Sequence, residues 1–595
     1  MPDNNSEYNQ QSFIGGMSLL GDDTRLQSNQ YRAGFNLTNR YDELDLIPSS
    51  IEDTSAPEGI KQGLTTFGNY EILFCAGNAY FKLYSDIGWT VIPQFKMSQI
   101  APRFWTCPVP VSLTNYVRYA STGVIDTQTS ASVNGPINTV QVAGASGGNL
   151  PGLLVQDNTS QPLFIFLDVD GNPTVRTTQT YAQWQAIFTD GTGNTFADNG
   201  DQREYVPIGN CMTWDNGVLY ITSQDLNFIY PSVSGRPLDF VRNVTNALPQ
   251  GPGYILTGGG DATTTSYSVG VGGISCIRPL SSGGIFVSAS GANFAVTQNT
   301  TPNAPTEFGE YTFIRTFLFS AFCLSDRAII DSIGDTRFID LSGIRSFNAV
   351  EQVQNEGRNS VFSNTIQGAI NGIIQDATVC SATYFDNYEL YSVMTIFGAA
   401  IIKYDTVNMC WVSFDIQQVP GKRIKQFAPL QINVLALFAI TEDDKVFQLY
   451  ASPTQFDTGV VRSVGVCSNI LYANIDIKMN NPKMEVKLNS VRIILNKLTE
   501  DSNITMSAFC NNRLVSGPST KLITYEAPAA TYVDPYVLPD VNTQLSNVMF
   551  NTPSVKQGWK VFVQLSWTGG VITQYSMELD NLTPQNPLNS QTLIK

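Results

Sequence analysis

"ATYFDNYELYSVMTIFGAAIIKYDTVNMCWVSFDI", residues 382–416, decides the fold. It is a meander of short runs rich in Val, Ile, Tyr and Phe, each about 4–8 residues long, with turn residues between them. It closes on a tyrosine, an aspartate and a strand that carries a tryptophan. The layout recurs at "YEILFCAGNAYFKLYSDIGWTVIPQ" (70–94) and at "CMTWDNGVLYITSQDLNFIYPS" (211–232), which bends at Asp215-Asn216-Gly217. It recurs again at 273–297 and 434–450. Hairpin units that cannot each bury both faces are expected to stack around an axis, as in a β-propeller. Their spacing is irregular, which leaves a sandwich as the alternative packing.

Outward from these units the texture changes. Residues 111–206 are rich in Thr, Ser, Gly, Asn and Gln, and read as an inserted β/loop domain that presents a surface to other proteins. Within it, "DVDGN" (168–172) lacks the spacing and closing Glu of a calcium loop and reads as an Asp-Gly hairpin turn. Residues 456–595 read as a separate C-terminal β domain. The expected fold is therefore mainly β with few helices. An extended N-terminal arm (1–50) precedes the first part of the propeller (51–110), and the remainder of the propeller (207–455) follows the insert. One helix is expected in "NTIQGAINGIIQ", where Ile366, Ala369, Ile370, Ile373 and Ile374 form one apolar stripe. Gly368 and Gly372 weaken it by about 1 kcal/mol each, so packing on the β core or at a subunit contact must hold it.

Composition narrows the function. The 595 residues allow several domain-sized units, and 42% apolar content supports a folded chain. Only 14% of residues are charged, against roughly 25% in an ordinary soluble domain. With 50 acidic and 34 basic residues the net charge is −16, which argues against a grip on phosphate. An acidic surface that faced DNA would let it slide and would not hold it. The one basic cluster, "GKRIKQ" (421–426), reads as a loop tip.

Histidine is absent, so Ser-His-Asp and Cys-His systems and His-containing zinc sites cannot be built. No phosphate-binding glycine loop is present. Carboxylate chemistry of the glycosidase kind survives in principle, but acids such as Asp22-Asp23 and Glu442-Asp443-Asp444 read as turns or solvated faces. The nine cysteines are scattered, mostly in apolar runs, and read as buried thiols. No catalytic residue, cofactor or metal is expected. Residues 1–11 carry no basic or apolar signal region, so the chain is expected to be made in a cytoplasm and to leave it, if at all, by assembly or lysis and not by secretion.

The arm carries a further signal. "FIGGMSLLGDDTRLQSNQYRAGFNLTNRYDELDLIPS" (13–49) sets Gly15, Gly16, Met17, Ser18, Arg25, Gln30, Asn36 and Pro48 in order. This series resembles the N-terminus of the tail nozzle (tail tubular B) proteins of short-tailed phages. Glu43-Leu44-Asp45 stands where that family has Gly-Leu, and no Arg precedes Pro48. "NFIYPSVSGRPLDF" (227–240) and 273–297 are similar to strands of the same family. "CLSDRAIIDSIGDTRFIDLSGIRSFNAV" (323–350) resembles the related packaged-DNA stabilisation proteins.

The resemblance implies a virion protein in a phage tail, assembled as a homo-oligomeric ring of about six copies. Such a ring bounds and gates the channel through which DNA is retained and ejected. Its partners would be further copies, the tail adaptor on the portal side, tail fibres or other tail proteins, and transiently passing DNA; contact with the host surface is also open. Tyr31, Phe35 and Tyr41 would let the arm seal against a neighbouring subunit; the alternative is an arm that wraps its own propeller. A tail fibre or adhesin and a carbohydrate-active propeller are the competing functions.

Overall fold

The computed structural model describes residues 5–10, 12–19, 29–112, 149–167, 171–178, 206–232, 237–238, 240, 267–268, 273–280, 284–289, 292–299, 312–319, 321, 323–332, 335–347, 361–370, 380–430, 434–452, 455–467, 486–498, 500–510, 513–526, 546–552 and 560–581. These residues are mainly β. Seven antiparallel meanders follow one another along the chain, spanning 61–91, 105–177, 209–268, 274–319, 329–346, 381–415 and 424–449. Here they are blades 1 to 7. Turn chemistry fixes their hairpins: Asp386-Asn387 and Asn216-Gly217 both have positive φ at the two central positions, as a tight two-residue hairpin requires.

The first strands of blades 1 to 4 pack in succession, as do those of blades 5, 6, 7 and 1, and the contact of blade 4 with blade 5 closes the ring. Blade 4 meets blade 5 through Phe286 and Phe338, whose ring centroids are 5.9 Å apart. Period-two alternation then divides each sheet between two neighbours. In blade 2, Leu153, Val155, Leu163 and Ile165 pack with Phe67, Ile72 and Phe74 of blade 1. The intervening Leu154, Phe164 and Phe166 pack with Leu219 and Ile221 of blade 3. Burial of both faces explains why these strands are apolar almost throughout.

Two boundaries are sharper than the sequence suggested. The strand Trp105–Ser112 pairs along its length with Asn149–Gln156, and Leu163–Leu167 and Pro173–Thr177 complete the same sheet. The described strands of the region expected as an insert are thus propeller strands, and position 111 lies inside one of them. The hairpin expected at Asp-Gly joins Leu163–Leu167 to Pro173–Thr177, with Gly171 at φ +80°, while 168–170 lie outside the described residues. The stretches 113–148 and 179–205 also lie outside them. The helix is short: a 3-10 turn Asn364–Ile366 runs into Gln367–Ile370, and Ile366, Ala369 and Ile370 are fully buried. It docks on the core, as one reading expected; Ile373 and Ile374 lie outside the described residues.

Beyond the propeller, two sheets form a sandwich. One contains Asn5–Gln10, Val571–Asn581, Val486–Asn496 and Ser546–Asn551; the other contains Gly459–Cys467, Lys560–Trp567, Ser502–Cys510 and Arg513–Ile523. Ile493, Leu495, Ile504, Met506, Leu565, Trp567 and Tyr575 fill it.

Ring closure uses a strand from the other end of the propeller sequence. Ile51–Glu52 pairs with Val446–Leu449 and completes blade 7 just before blade 1 begins. Asp53 follows it, and Lys82 Nζ of blade 1 lies 2.5 Å from Asp53 Oδ2, with Trp89 Nε1 at 3.0 Å. Burial works against an ionised Asp53, but the bonds from Lys82, Ser55 and Trp89 outweigh it and hold the carboxyl below its usual range. Glu71 sits 3.8 Å from the same Lys82 Nζ, fully buried, and neither of its oxygens accepts a hydrogen bond. Burial pushes Glu71 up to about 7, more than Lys82 pulls it down.

The sign of the pH dependence follows. Glu71 binds its proton more tightly folded than unfolded, so its contribution is fully present below its ordinary 4.5 and is lost as pH rises through about 7. Relative to Glu71→Gln, the native protein should lose up to about 3 kcal/mol between those limits, measured by urea unfolding at a series of pH values. Parallel pH profiles for the two proteins would contradict this assignment.

Candidate functional site

The arm forms a seam between the propeller and the sandwich. Its Gly-Gly step has a steric cause. Gly16 has φ +65°, and a Cβ there would lie 2.4 Å from the Trp411 carbonyl oxygen and 2.8 Å from Cys410 Sγ. Glycine therefore lets the backbone lie directly on blade 6. Gly16-Met17 then runs parallel to Gln30-Tyr31, and Ser18 N–H donates to the Tyr31 carbonyl at 2.9 Å. Met17 Sδ accepts from Gly34 N–H at 3.4 Å.

The strand Ala33–Phe35 enters between two sheets. On one side Phe35 pairs in parallel with Phe414 of blade 6, and on the other Ala33–Phe35 pairs antiparallel with Val460–Arg462 of the sandwich. A single nine-stranded sheet results, half propeller and half sandwich. Asn36, at φ +53°, locks the exit. Its Oδ1 accepts from the Ile416 and Gln417 N–H groups at 2.9 and 3.1 Å, and its Nδ2 donates to the Thr458 carbonyl at 3.3 Å. Pro48 bridges Phe456, and its carbonyl accepts from Gln418 Nε2 at 2.6 Å. Asp42 Oδ1 accepts from Ser12 Oγ and from the Phe13 and Ile14 N–H groups, folding the arm back on itself.

A buried charge pair underlies the seam. Lys403 Nζ lies 2.9 Å from Asp415 Oδ2, with side chains 3% and 0% exposed. Tyr450 donates to Asp415 at 2.8 Å, and Lys403 donates to the Leu37 carbonyl at 3.4 Å. Blades 6 and 7 and the arm thus share one hydrogen-bonded pair, which satisfies charges that would otherwise be costly to bury. Blades 5 and 6 share another: Glu389, fully buried, takes Arg337 Nη1 at 2.5 and 2.6 Å, and Tyr391 at 2.7 Å.

The arm residues expected at a subunit contact divide. Tyr31 is fully buried and donates to the Val412 carbonyl at 2.8 Å, and burial pushes its phenol well above the ordinary range. Phe35 packs edge-on against Phe397, centroids 5.0 Å apart. Both make these contacts within their own chain, and the strand that carries Phe35 has partners on both edges and so no backbone left to offer. Tyr41 is 81% exposed. Arg25 lies outside the described residues. Lys403 was missed, although a lysine within "AAIIKYD" signals a buried partner; Asn36 was noted only as a position in the motif.

Elsewhere the charged clusters neutralise one another. The basic stretch 421–426 faces Glu442-Asp443-Asp444 across the blade 7 hairpin, with Lys425–Asp444 at 2.8 Å and Arg423–Glu442 at 2.9 Å. Eight of the nine cysteines, all but Cys467, are buried and free. Burial pushes Cys107 up to about 12 and Cys410 up to about 11, so both stay thiols at neutral pH. Among the described residues no group of acids and cysteines is spaced to hold a metal ion, and no helix is long and apolar enough to cross a membrane.

The propeller axis is crossed. Arg103, just before blade 2, places Nη2 2.6 Å from Asp326 Oδ2, just before blade 5. Arg327 Nη2 donates to the carbonyls of Gln62 in blade 1 and Phe104 at 3.2 and 3.5 Å. Arg278 Nη2 of blade 4 donates to the Asp326 carbonyl at 3.0 Å. The bonds of Arg103 and Arg327 join blades that are not neighbours, so they span the axial space.

No protein-family model matches the chain, and no curated protein matches its sequence. The extracellular domain of a one-component system from B. thetaiotaomicron is similar in structure at 13% identity and TM-score 0.35, over 83% of this chain and 51% of that one. This chain thus spans about half the length of that protein. The β-propeller domain of Swd1 from Myceliophteria thermophila matches at 7% identity and TM-score 0.26, over 68% of this chain and 100% of its own. A luciferin-regenerating enzyme matches at 9% identity and TM-score 0.25, over 69% of this chain and 97% of its own.

Two substitutions test the seam. Tyr31→Phe removes one buried hydrogen bond and should cost about 1–2 kcal/mol in chemical unfolding. Gly16→Ala adds a left-handed residue and a backbone clash and should cost at least about 2 kcal/mol. Loss below about 0.5 kcal/mol in both would show that the arm contributes little to the fold.

Proposed function

We propose that the chain is a structural subunit of a short phage tail, forming the distal nozzle ring that bounds and gates the channel for genomic DNA. The observation that carries this reading is the seam. Gly15, Gly16, Met17, Ser18, Gln30, Asn36 and Pro48, the described residues of the nozzle-like motif, lie along the arm that joins propeller and sandwich in one sheet. A ring under load from packaged DNA needs subunits that transmit force without shearing between domains, and a shared sheet supplies that.

The conduit would lie between copies and not along the propeller axis, which Arg103 and Arg327 cross. The acidic balance, with the basic stretch 421–426 paired internally, suits passage of DNA without retention on the wall. In this reading the protein is not an enzyme and resides in the virion tail, made in the host cytoplasm. It meets a portal-side adaptor above and fibres or other tail proteins around it. Tyr41 would meet the neighbouring copy, together with exposed Val407 and Met409 of the blade 6 hairpin, which Asn408 ties to Arg40 at 3.2 Å. Opening would be a shift of the ring between closed and open states.

Single-particle imaging of the purified protein should show a closed ring of about six copies around a central channel. Tyr41→Ala should leave monomer stability within about 0.5 kcal/mol and lower the fraction of rings. A compact trimer would replace this reading with the adhesin, and turnover of polysaccharide would replace it with the carbohydrate-active propeller.

A further inference from the structure

The axial cluster carries more positive charge than the described residues balance. Arg103 pairs with the Asp326 carboxylate, Arg278 donates to the Asp326 carbonyl and Arg327 follows in the chain; with Asp331, which also acts on Arg278, three guanidiniums face two carboxylates and leave a surplus of one positive charge. Asp331 acts on Arg278 more strongly than Asp326 does, from an exposed position where it also accepts from Thr336 Oγ1 at 3.2 Å. Burial, and then the neighbouring Arg103 guanidinium, push Arg327 down to about 9, so it keeps its proton at neutral pH beside a like charge. In a chain of net charge −16 this surplus stands out, and half-burying it without an anion is unfavourable.

Donors are also unspent. Arg103 Nε and Trp105 Nε1 are both buried without a hydrogen-bond acceptor, and the Arg103 guanidinium carbon lies 4.6 Å above the Trp105 ring. Buried N–H groups without acceptors are rare in folded proteins and mark a missing partner. The Arg103 and Asp326 side chains are 19% and 21% exposed, so the cluster is open to solvent on one side.

We propose that this cluster is a binding site for a tetrahedral oxyanion of the phosphate class. Guanidinium forks match such oxygens in pairs, and a phosphate at neutral pH supplies the negative charge that the site lacks. Arg103 and Arg278 would share the anion with Arg327, and the Trp105 indole N–H would donate to a further oxygen. Binding would tie blades 1, 2, 4 and 5 together across the axis.

The test is calorimetric titration of the full chain with inorganic phosphate and with a 5′-mononucleotide at pH 7.5 and fixed ionic strength, with chloride and acetate as controls. Saturable binding of phosphate, absent with chloride and acetate, is expected. Trp105→Phe, which keeps the ring and removes only the donor, should weaken it by about five- to tenfold, and Arg278→Gln should abolish it. Equal or tighter binding of the mononucleotide would assign the site to phosphomonoesters, and weaker binding would assign it to the free ion. No saturable binding, or binding unchanged in Trp105→Phe, would overturn the proposal.

Discussion

The structure depends on one strand with partners on both edges. The outer strand of blade 6 and the first strand of the sandwich each present a row of unpaired backbone groups, and exposed sheet edges of that kind are prone to wrong pairing. Ala33–Phe35 fills the gap between them. Because the two sheets are joined through backbone hydrogen bonds, the propeller and sandwich cannot rotate against each other without breaking a ladder. Side-chain contacts alone would allow such sliding.

The segment that directly follows the arm closes the ring. Ile51–Glu52 supplies the outer strand of blade 7, so one continuous segment staples the sandwich, blade 6 and the blade 7–blade 1 junction. Charge pairs sit where these elements meet: Lys403 with Asp415 under the seam, Lys82 with Asp53 at the closure, Arg337 with Glu389 between blades 5 and 6. Such pairs bring limited net stability when compared with apolar packing, but losing one partner strands a buried charge. They therefore penalise any arrangement in which the blades meet in a different register.

Much of the β architecture was legible. Alternating apolar runs and the Asp-Asn turn at 386–387 specify the blade 6 meander locally, and blades 1 and 7 read equally well. Blade 2 was not legible, because 36 residues separate its first strand, ending at Ser112, from its second, beginning at Asn149, and the intervening composition suggests an insert. The arm's partners were hidden for a different reason. Tyr31 bonds Val412 and Asn36 bonds Ile416, pairings of about 380 residues' separation that no local pattern encodes. The motif at Gly15-Gly16 marked the segment as special without saying what it touches. The axial arginines carry no local signal either, since Arg103, Arg278 and Arg327 come from three separate stretches of blade entry and inner strand.

Amide hydrogen exchange on the unassembled protein tests the central claim most directly. If the arm is a strand of its own chain, the Ala33–Phe35 amides exchange as slowly as those of Gly398–Asp405 in blade 6, before any ring forms. Fast exchange in the isolated chain, with protection appearing only on assembly, would place the arm between subunits and contradict the account.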